Sequence, residues 1–352
     1  MNAETLRALL LALALLSAAP ARAAGFAGLG DDAQGFAEPQ PGHALAFPRD
    51  HGAHPEFRIE WWYLTANLTD ETGKAYGAQW TLFRHARAPH DGEGWDSPQA
   101  FVAHAAVTTD ALHLFAETRA RGGVGQAGIE AAPFRAFIDN WSFSAKEANL
   151  SGGAVSAVAP RFRYTLALTA DRPLALHGEA GFSRKSESGQ ASYYYSQPFF
   201  TVEGALAIDG AERKVKGRAW MDHEWSSRPL AADQKGWDWF SLHLDGGGEL
   251  MLFRLRSDKT LPFISGSFIT ADGATRALMR DDIFLEPLEQ GLVAGRLLPL
   301  RWRLRVASLH LDIETKPLNS QSFMSVGVGY FEGPITFSGA QSGVGYLEMT
   351  GY

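Results

Sequence analysis

Residues 60–86 read EWWYLTANLTDETGKAYGAQWTLFRHA, and residues 237–256 read WDWFSLHLDGGGELMLFRLR. The second stretch is a shortened echo of the first. Each opens with tryptophans and a further aromatic (Trp62-Tyr63; Trp239-Phe240). Each alternates into a turn carrying Asp and Gly (Asp70 to Gly73; Asp245 to Gly248) and closes on Leu-Phe-Arg (Leu82-Phe83-Arg84; Leu252-Phe253-Arg254). Two copies of one strand–turn–strand unit, far apart in a chain, predict two similar β-domains facing each other.

The rest of the chain keeps the same period. Phe162, Tyr164, Leu166 and Leu168 alternate with polar or small residues, as do Leu300, Trp302, Leu304 and Val306, and Leu309, Leu311 and Ile313 continue that period. Such alternation marks strands with one buried face. Asp209-Gly210, Asp245-Gly246 and Asp272-Gly273 supply turns between them. Beyond the N-terminal leader, only Asp281 to Gln290 suggests a short helical turn. The fold class expected is all-β, with antiparallel strands packed as sandwiches or closed as barrels, and barrels of about eight strands hold one small apolar ligand.

Arg7, the apolar run Leu9 to Ala19 and the small-x-small Ala21-Arg22-Ala23 read as a secretory signal peptide over residues 1–23. Residues 24–44 read as a flexible leader, 45–228 as an N-terminal domain and 229–352 as a C-terminal one, with the boundary near Arg228-Pro229. The chain has no cysteine, which removes disulfides, a thiol nucleophile and a lipoprotein anchor. A periplasmic or secreted protein is expected, with no integral membrane segment in the mature chain. The formal net charge is −7, and loss of Glu4, Arg7 and Arg22 with the leader makes the mature chain more acidic. No basic block occurs, so nucleic acid is not an expected partner.

Four clusters carry the chemistry: DHGAHPEFRIEWWY (Asp50 to Tyr63), FVAHAAVTTD (Phe101 to Asp110), ASYYYSQPFF (Ala191 to Phe200), and AWMDHEWSS (Ala219 to Ser227) with the following GWDWF (Gly236 to Phe240). On a strand, Asp222 and Glu224 share one face and His223 takes the other. A carboxyl enclosed by Trp220 and Trp225 is desolvated, so its pKa rises and it can serve as a general acid. The competing reading is a satisfied structural ion pair. Glu60 points with Trp62, while Trp61 and Tyr63 share the opposite face. Glu60 is either an acid beside cation-stabilising rings or the partner of Arg58 or Arg84. Tyr193 and Tyr195 share a face and suit the mouth of a lipophilic pocket or a core. His51 and His54, with Glu56 beyond, lie in a Gly- and Pro-containing loop rather than a helical metal motif, and no HExxH, CxxC or EF-hand loop occurs. Neither a metal nor a cofactor is expected. GxSxG, a Walker loop and GxGxxG opening a helix after a strand are also missing from the sequence.

Taken in order, from DHGAHPEFRIEWWYLTANL through FVAHAAVTTD, YYYSQPFF, MDHEWSS and GWDWFSLHL to GYLEMTGY, these motifs resemble the AttH-like secreted proteins, often labelled predicted secreted hydrolases and similar to carotenoid 1,2-hydratases. The resemblance covers essentially the whole mature chain. It implies two lipocalin-like antiparallel β-barrel domains packed together, with a ligand cavity at or near their contact. It also implies that Asp222 matches the aspartic acid that protonates a polyene double bond before water adds. Fungal relatives include Diels–Alderases and a phytoalexin hydratase. Three positions depart from the pattern: Tyr330-Phe331-Glu332-Gly333 for aromatic-Trp-Glu-Gly, Gln321-Ser322 for Gln-Glu, and Leu298-Pro299 for Tyr-Pro.

Two functions from different classes follow as expectations. The first is a hydro-lyase acting on an apolar unsaturated molecule. Asp222 is its acid, His223 orients or recharges that acid, and Glu60 is a further candidate. Trp61, Trp62, Tyr63, Tyr193, Tyr195, Trp220, Trp225, Trp237 and Trp239 line the cavity. The second is a non-catalytic lipophile carrier accessory to an ABC export system. A third reading pairs Asp222 with Glu60 as glycosidase carboxylates, which their separation decides.

Overall fold

The computed structural model describes residues 26–31 and 33–352; the signal-peptide expectation for residues 1–23 lies outside the described residues. Thirteen strands build a first sheet: β1 (Ile59–Asp70), β2 (Ala75–Ala86), β3 (Gln99–Thr108), β4 (His113–Arg121), β5 (Ala127–Ala131), β6 (Phe134–Ile138), β7 (Trp141–Ala145), β8 (Gly153–Val158), β9 (Phe162–Thr169), β10 (Ala175–Leu176), β11 (Phe182–Arg184), β12 (Ala191–Ile208) and β13 (Ala211–Ser226). Ten build a second: β14 (Gln234–Leu244), β15 (Glu249–Ser257), β16 (Phe263–Ile269), β17 (Thr275–Leu278), β18 (Ile283–Val293), β19 (Arg296–Val306), β20 (Leu311–Pro317), β21 (Phe323–Met324), β22 (Tyr330–Gly339) and β23 (Gly343–Thr350). Helix among the described residues is confined to 3-10 turns of three residues, and none among those residues is long and apolar enough to cross a membrane.

Both sheets are antiparallel, and both curl into near-barrels. The first runs β4-β3-β2-β1-β13-β12-β9-β8-β7-β6-β5, with β10 and β11 paired to β12. The second runs β17-β16-β15-β14-β23-β22-β20-β19-β18, with β21 on β22. Each is therefore a four-strand meander whose first strand pairs with the last strand of its own sheet, which in turn pairs with the penultimate long strand. Curling brings β4 against β6 and β16 against β18 without ladder pairing between them.

The repeated hairpins are β1–β2 and β14–β15, the central pairs of the two sheets. Their register corrects the alignment expected from the opening aromatics. Glu60 lies across from Arg84, and Asp238 across from Arg254. Each forms an ion pair, Arg84 Nε to Glu60 Oε2 at 2.7 Å and Arg254 Nη2 to Asp238 Oδ2 at 2.8 Å. Glu60-Trp61-Trp62 thus corresponds to Asp238-Trp239-Phe240, one residue away from the match of Trp62 with Trp239. A one-residue slip swaps every side chain to the other face.

Turns follow their chemistry. Asp209 and Gly210 both adopt positive φ, 48° and 83°, which suits the two-residue hairpin joining β12 to β13. The helical turn expected at Asp281 to Gln290 shrinks to Arg280–Asp282. β18 takes over because Ile283 and Leu285 alternate inward and pair with β19. The period expected to run through Leu309 is interrupted by the turn Ala307–Leu309 and by His310 at φ 48°.

Apolar burial forms one cluster inside each sheet and one between them. Trp62, Leu64, Trp80, Leu82 and Phe143 fill the first, and Phe240, Leu242, Leu252, Trp302 and Leu304 fill the second. Tyr63, Tyr194, Trp220, Trp239, Met251 and Phe253 pack where the sheets meet. β1 and β13 are consequently buried on both faces. The sheets are joined by bonds from Asn67 Nδ2 to Gly345 O at 2.9 Å and from the Tyr346 hydroxyl to Ala78 O at 3.2 Å. In the stretch expected as a leader, Phe26 stands edge-on to Trp237 at 5.4 Å, and Arg58 Nη2 donates to Gly28 O at 3.1 Å.

Candidate functional site

A cavity of about 510 Å³ lies between the sheets. Its floor is the outer face of β13, β1, β2, β3 and β4, laid out in cross-strand rows. One row runs Asp222, Tyr63, Thr81, His104, Glu117, and the next runs Glu224, Trp61, Phe83, Val102, Arg119. Its roof is the face of the second sheet carrying Phe253, Trp239, Glu348 and Glu332 in one row, with Trp237 beside Leu255. Phe26 and Leu29 contribute to one wall. Strand alternation places these residues: those at even steps from Asp222 or Trp61 face the cavity, and their neighbours face the first sheet's interior.

Asp222 is 4% exposed. Its Oδ1 accepts from Trp220 Nε1 at 2.6 Å and from the Ser196 hydroxyl, and the Tyr194 hydroxyl also bonds the carboxyl. Burial raises its pKa to about 7 although these three donors oppose the rise, and Glu224 adds to it. Behind Ser196, its Oγ meets His177 Nε2 at 2.6 Å, and His177 Nδ1 meets Ser267 Oγ of β16 at 3.0 Å. Burial, with Lys185 nearby, holds His177 down at about 3, so it is a neutral hydrogen-bonding group. A chain of hydroxyls and imidazole therefore runs from Asp222 to the second sheet.

On the roof, Glu348 accepts from Trp237 Nε1 and lies directly across the ladder from Glu332. Burial raises Glu348 to about 7 against bonds from Trp237 and Glu332, with the charges of Asp222 and Glu224 adding to the rise. Burial and then the charge of Glu348 push Glu332 well above the usual carboxyl range. Tyr63 donates to Glu332 Oε1 at 2.7 Å. Lys185 Nζ pairs with Glu224 Oε1 at 2.7 Å and sits over the rings of Tyr194 and Phe253, 4.8 and 4.6 Å from their centroids.

The expected site residues fall into two groups. Asp222, Trp61, Tyr63, Trp237 and Trp239 line the cavity, and Trp220 reaches the site through its bond to Asp222. Glu60, Trp62, His223, Trp225, Tyr193 and Tyr195 face into the first sheet. This corrects two expectations. His223 does not touch Asp222: its Nε2 meets Glu60 Oε1 at 2.8 Å and its Nδ1 the Tyr195 hydroxyl at 3.0 Å. Glu60 does not pair with Asp222 across a cavity, because β1 presents it to the opposite side, which removes the glycosidase reading. Arg84 is its partner, the alternative open in the sequence.

That interior group is a charge clamp. His54 Nδ1 meets Glu60 Oε1 at 2.6 Å and its ring stacks on Trp225 at 4.0 Å. Burial alone would lower His54, but Glu60 and Asp50 outweigh it and hold the imidazole at about 9. Burial alone would raise Glu60, but His54, Arg84 and the bond from His223 take it well below the usual range. The ligating atoms of His54, Glu60 and His223 lie within 4.8 Å of one another, a spacing that a metal could use. Here both imidazoles converge on Glu60 Oε1, Arg84 holds Oε2, and the protonated His54 supplies the positive charge. His51 is held apart, by Tyr195 and Ala148 O, at 2.7 and 2.9 Å.

Sequence reasoning missed His177, Ser196, Lys185, Tyr194, Glu332 and Glu348 as site residues. Glu348 had a signal, an acid within the alternating strand GVGYLEMT. Tyr194 was one parity step away in Tyr193-Tyr194-Tyr195. His177 had none, since only the fold brings it to Ser196.

Fold and cavity define an all-β protein of two curled antiparallel sheets that enclose an aromatic, carboxyl-bearing pocket. The chain belongs to the AttH-like family, whose model matches residues 38–352. An AttH candidate from Nitrosomonas europaea is similar at 35% identity and TM-score 0.79, covering 90% of this chain and 100% of that one. Kievitone hydratase from Nectria haematococca shares the fold at 16% identity and TM-score 0.65, covering 90% of this chain and 98% of that one. No curated protein sequence matches.

Proposed function

We propose that the protein binds an unsaturated lipophilic small molecule between its two sheets and adds water to it by acid catalysis. The observation that carries this is Asp222, a buried carboxyl held at about 7 on the floor of an aromatic cavity. In the protonated form it delivers the proton to a double bond, whose electrons form the new C–H bond. Trp61, Trp237 and Trp239 present ring faces and edges to the cation that results. Water then forms the C–O bond and returns a proton to the carboxylate. Ser196 and Trp220 orient the acid, and His177 fixes Ser196. The fold carries a hydratase in the Nectria protein, so the reading asks for no new scaffold. We place the protein in the periplasm or outside the cell.

A second reading, a carrier of the same lipophile serving an ABC export system, is favoured by the completeness of the Asp222 bonds, which suit a structural group as well as an acid. The test is mass spectrometry of organic extracts of the protein purified from its own host, followed by assay of Asp222→Asn on the molecule found. A bound alkene accompanied by its water adduct, with turnover lost and binding kept in Asp222→Asn, is the expected result. Turnover equal to the wild type's overturns the role of Asp222, and a single unaltered lipid favours the carrier.

A further inference from the structure

The cavity already contains one ammonium in a cage of its own. Lys185 Nζ is held by the Glu224 carboxylate and two ring faces, those of Tyr194 and Phe253. At the other end of the floor, Arg119 pairs with Glu117 at 2.7 Å. Asp222 and Glu348, on floor and roof, have no basic partner at ion-pair distance among the described residues. They sit among Trp61, Trp237 and Trp239. Behind Glu348, the buried Glu332 carboxyl is hydrogen-bonded to Glu348 and accepts from the Tyr63 hydroxyl, again with no basic group beside it. Its carboxyl is aimed at Tyr63 and Glu348, both of which line the cavity. Carboxyls without counter-ions, set against tryptophan faces in an enclosed apolar space, match the requirements of an organic cation.

We propose that this cavity is a binding site for a lipophilic ammonium, with the cationic centre between Asp222 and Glu348 and its hydrocarbon tail along Trp61, Trp237 and Trp239. The inference stands apart from hydration. Where that reading also holds, the ammonium imitates the carbocation formed from the alkene.

Such a ligand reverses the electrostatics of the empty cavity. Burial favours the neutral carboxyls; a cation favours the ionised ones. Binding therefore releases protons from Asp222 and Glu348, and affinity rises with pH through about 7. The other groups facing this pair are Glu224 with Lys185, the Glu332 carboxyl, the hydroxyls of Tyr63, Tyr194 and Tyr330, and the Trp220 and Trp237 N–H groups, while His177 stays neutral behind Ser196 and His104, Glu117 and Arg119 line the far end of the floor.

The experiment is calorimetric titration of the mature protein with decyltrimethylammonium, decanol and decyl sulfate, well below micelle formation, at about pH 8 and about pH 5.5, which bracket these carboxyls. At the higher pH the ammonium should bind at least about tenfold more tightly than decanol, with decyl sulfate weakest, and the advantage should fall below about threefold at the lower pH. Buffers of different ionisation enthalpy should report net proton release. Glu348→Gln should erase most of the ammonium's advantage over decanol; if that variant fails to fold, the three-ligand comparison on the wild type decides alone. Decanol binding as tightly as the ammonium at the higher pH overturns this proposal and leaves the hydratase reading standing. Binding of none of the three overturns this proposal as well, while the hydratase reading is decided on the extracted molecule.

Discussion

Asp222 and Glu60 are buried carboxyls on neighbouring strands, and their surroundings drive them in opposite directions. Glu60 meets an arginine and two imidazoles and stays ionised; Asp222 meets only neutral donors and holds its proton up to about 7. Breaking a buried ion pair by removing one partner costs about 3–5 kcal/mol. Glu60→Gln should lower stability by that order in urea unfolding, and a loss under about 1 kcal/mol would contradict the clamp. For Asp222 the sign is opposite. Its native pKa is raised above the unfolded value near 4, so the native state gains from its proton fully below pH ~4 and loses that gain as pH rises to ~7. Asp222→Asn, neutral at every pH, should gain on the order of 4 kcal/mol over the wild type at about pH 8 and almost nothing at about pH 4. Parallel stability–pH curves for the two proteins would remove the burial argument.

At the scale of elements, β1 divides its labour by parity. Trp62 is fully buried inside the first sheet and stacks on His223 at 4.5 Å, whereas Trp61 faces the cavity. Trp62→Ala should cost about 3–5 kcal/mol of stability. Trp61→Ala should leave the unfolding midpoint close to wild type and weaken binding of the extracted lipophile; equal effects of the two on stability would contradict the assignment of faces. The same alternation runs through β13, where His223 and Trp225 belong to the clamp and Asp222 and Glu224 to the site. The repeat obeys it as well, since Asp238 and Arg254 reproduce in β14–β15 the pair formed by Glu60 and Arg84. Sequence alone identified both hairpins but set them one residue out of step, because adjacent aromatics give either offset a plausible match and only the cross-strand ion pairs distinguish them.

At the scale of the molecule, the site exists because two sheets meet. Gly77 is the closest approach: a Cβ there would stand 2.4 Å from the Tyr346 hydroxyl and 2.6 Å from Pro334 Cγ. Gly77→Val should wedge the sheets apart, speeding amide hydrogen exchange in β23 and weakening ligand binding while far-UV circular dichroism keeps its strand signature. Unchanged exchange in β23 would show that the contact does not hold the sheets together.

The amino-acid sequence by itself determined that the chain is all-β, that it carries a repeated hairpin in each half, and that Asp222 is an acid among tryptophans. Those properties are local: a period of two, turn residues, and neighbours on one strand. The tertiary structure decided which side of each strand meets a ligand. β1 and β13 are buried on both faces, one against their own sheet's core and one against the second sheet, so burial of large side chains cannot separate core from cavity along the chain. It also decided that His177 rather than His223 supports the acid, and that Glu348 faces Asp222. Those partners lie far apart in sequence and meet only when two curled sheets close over the same space.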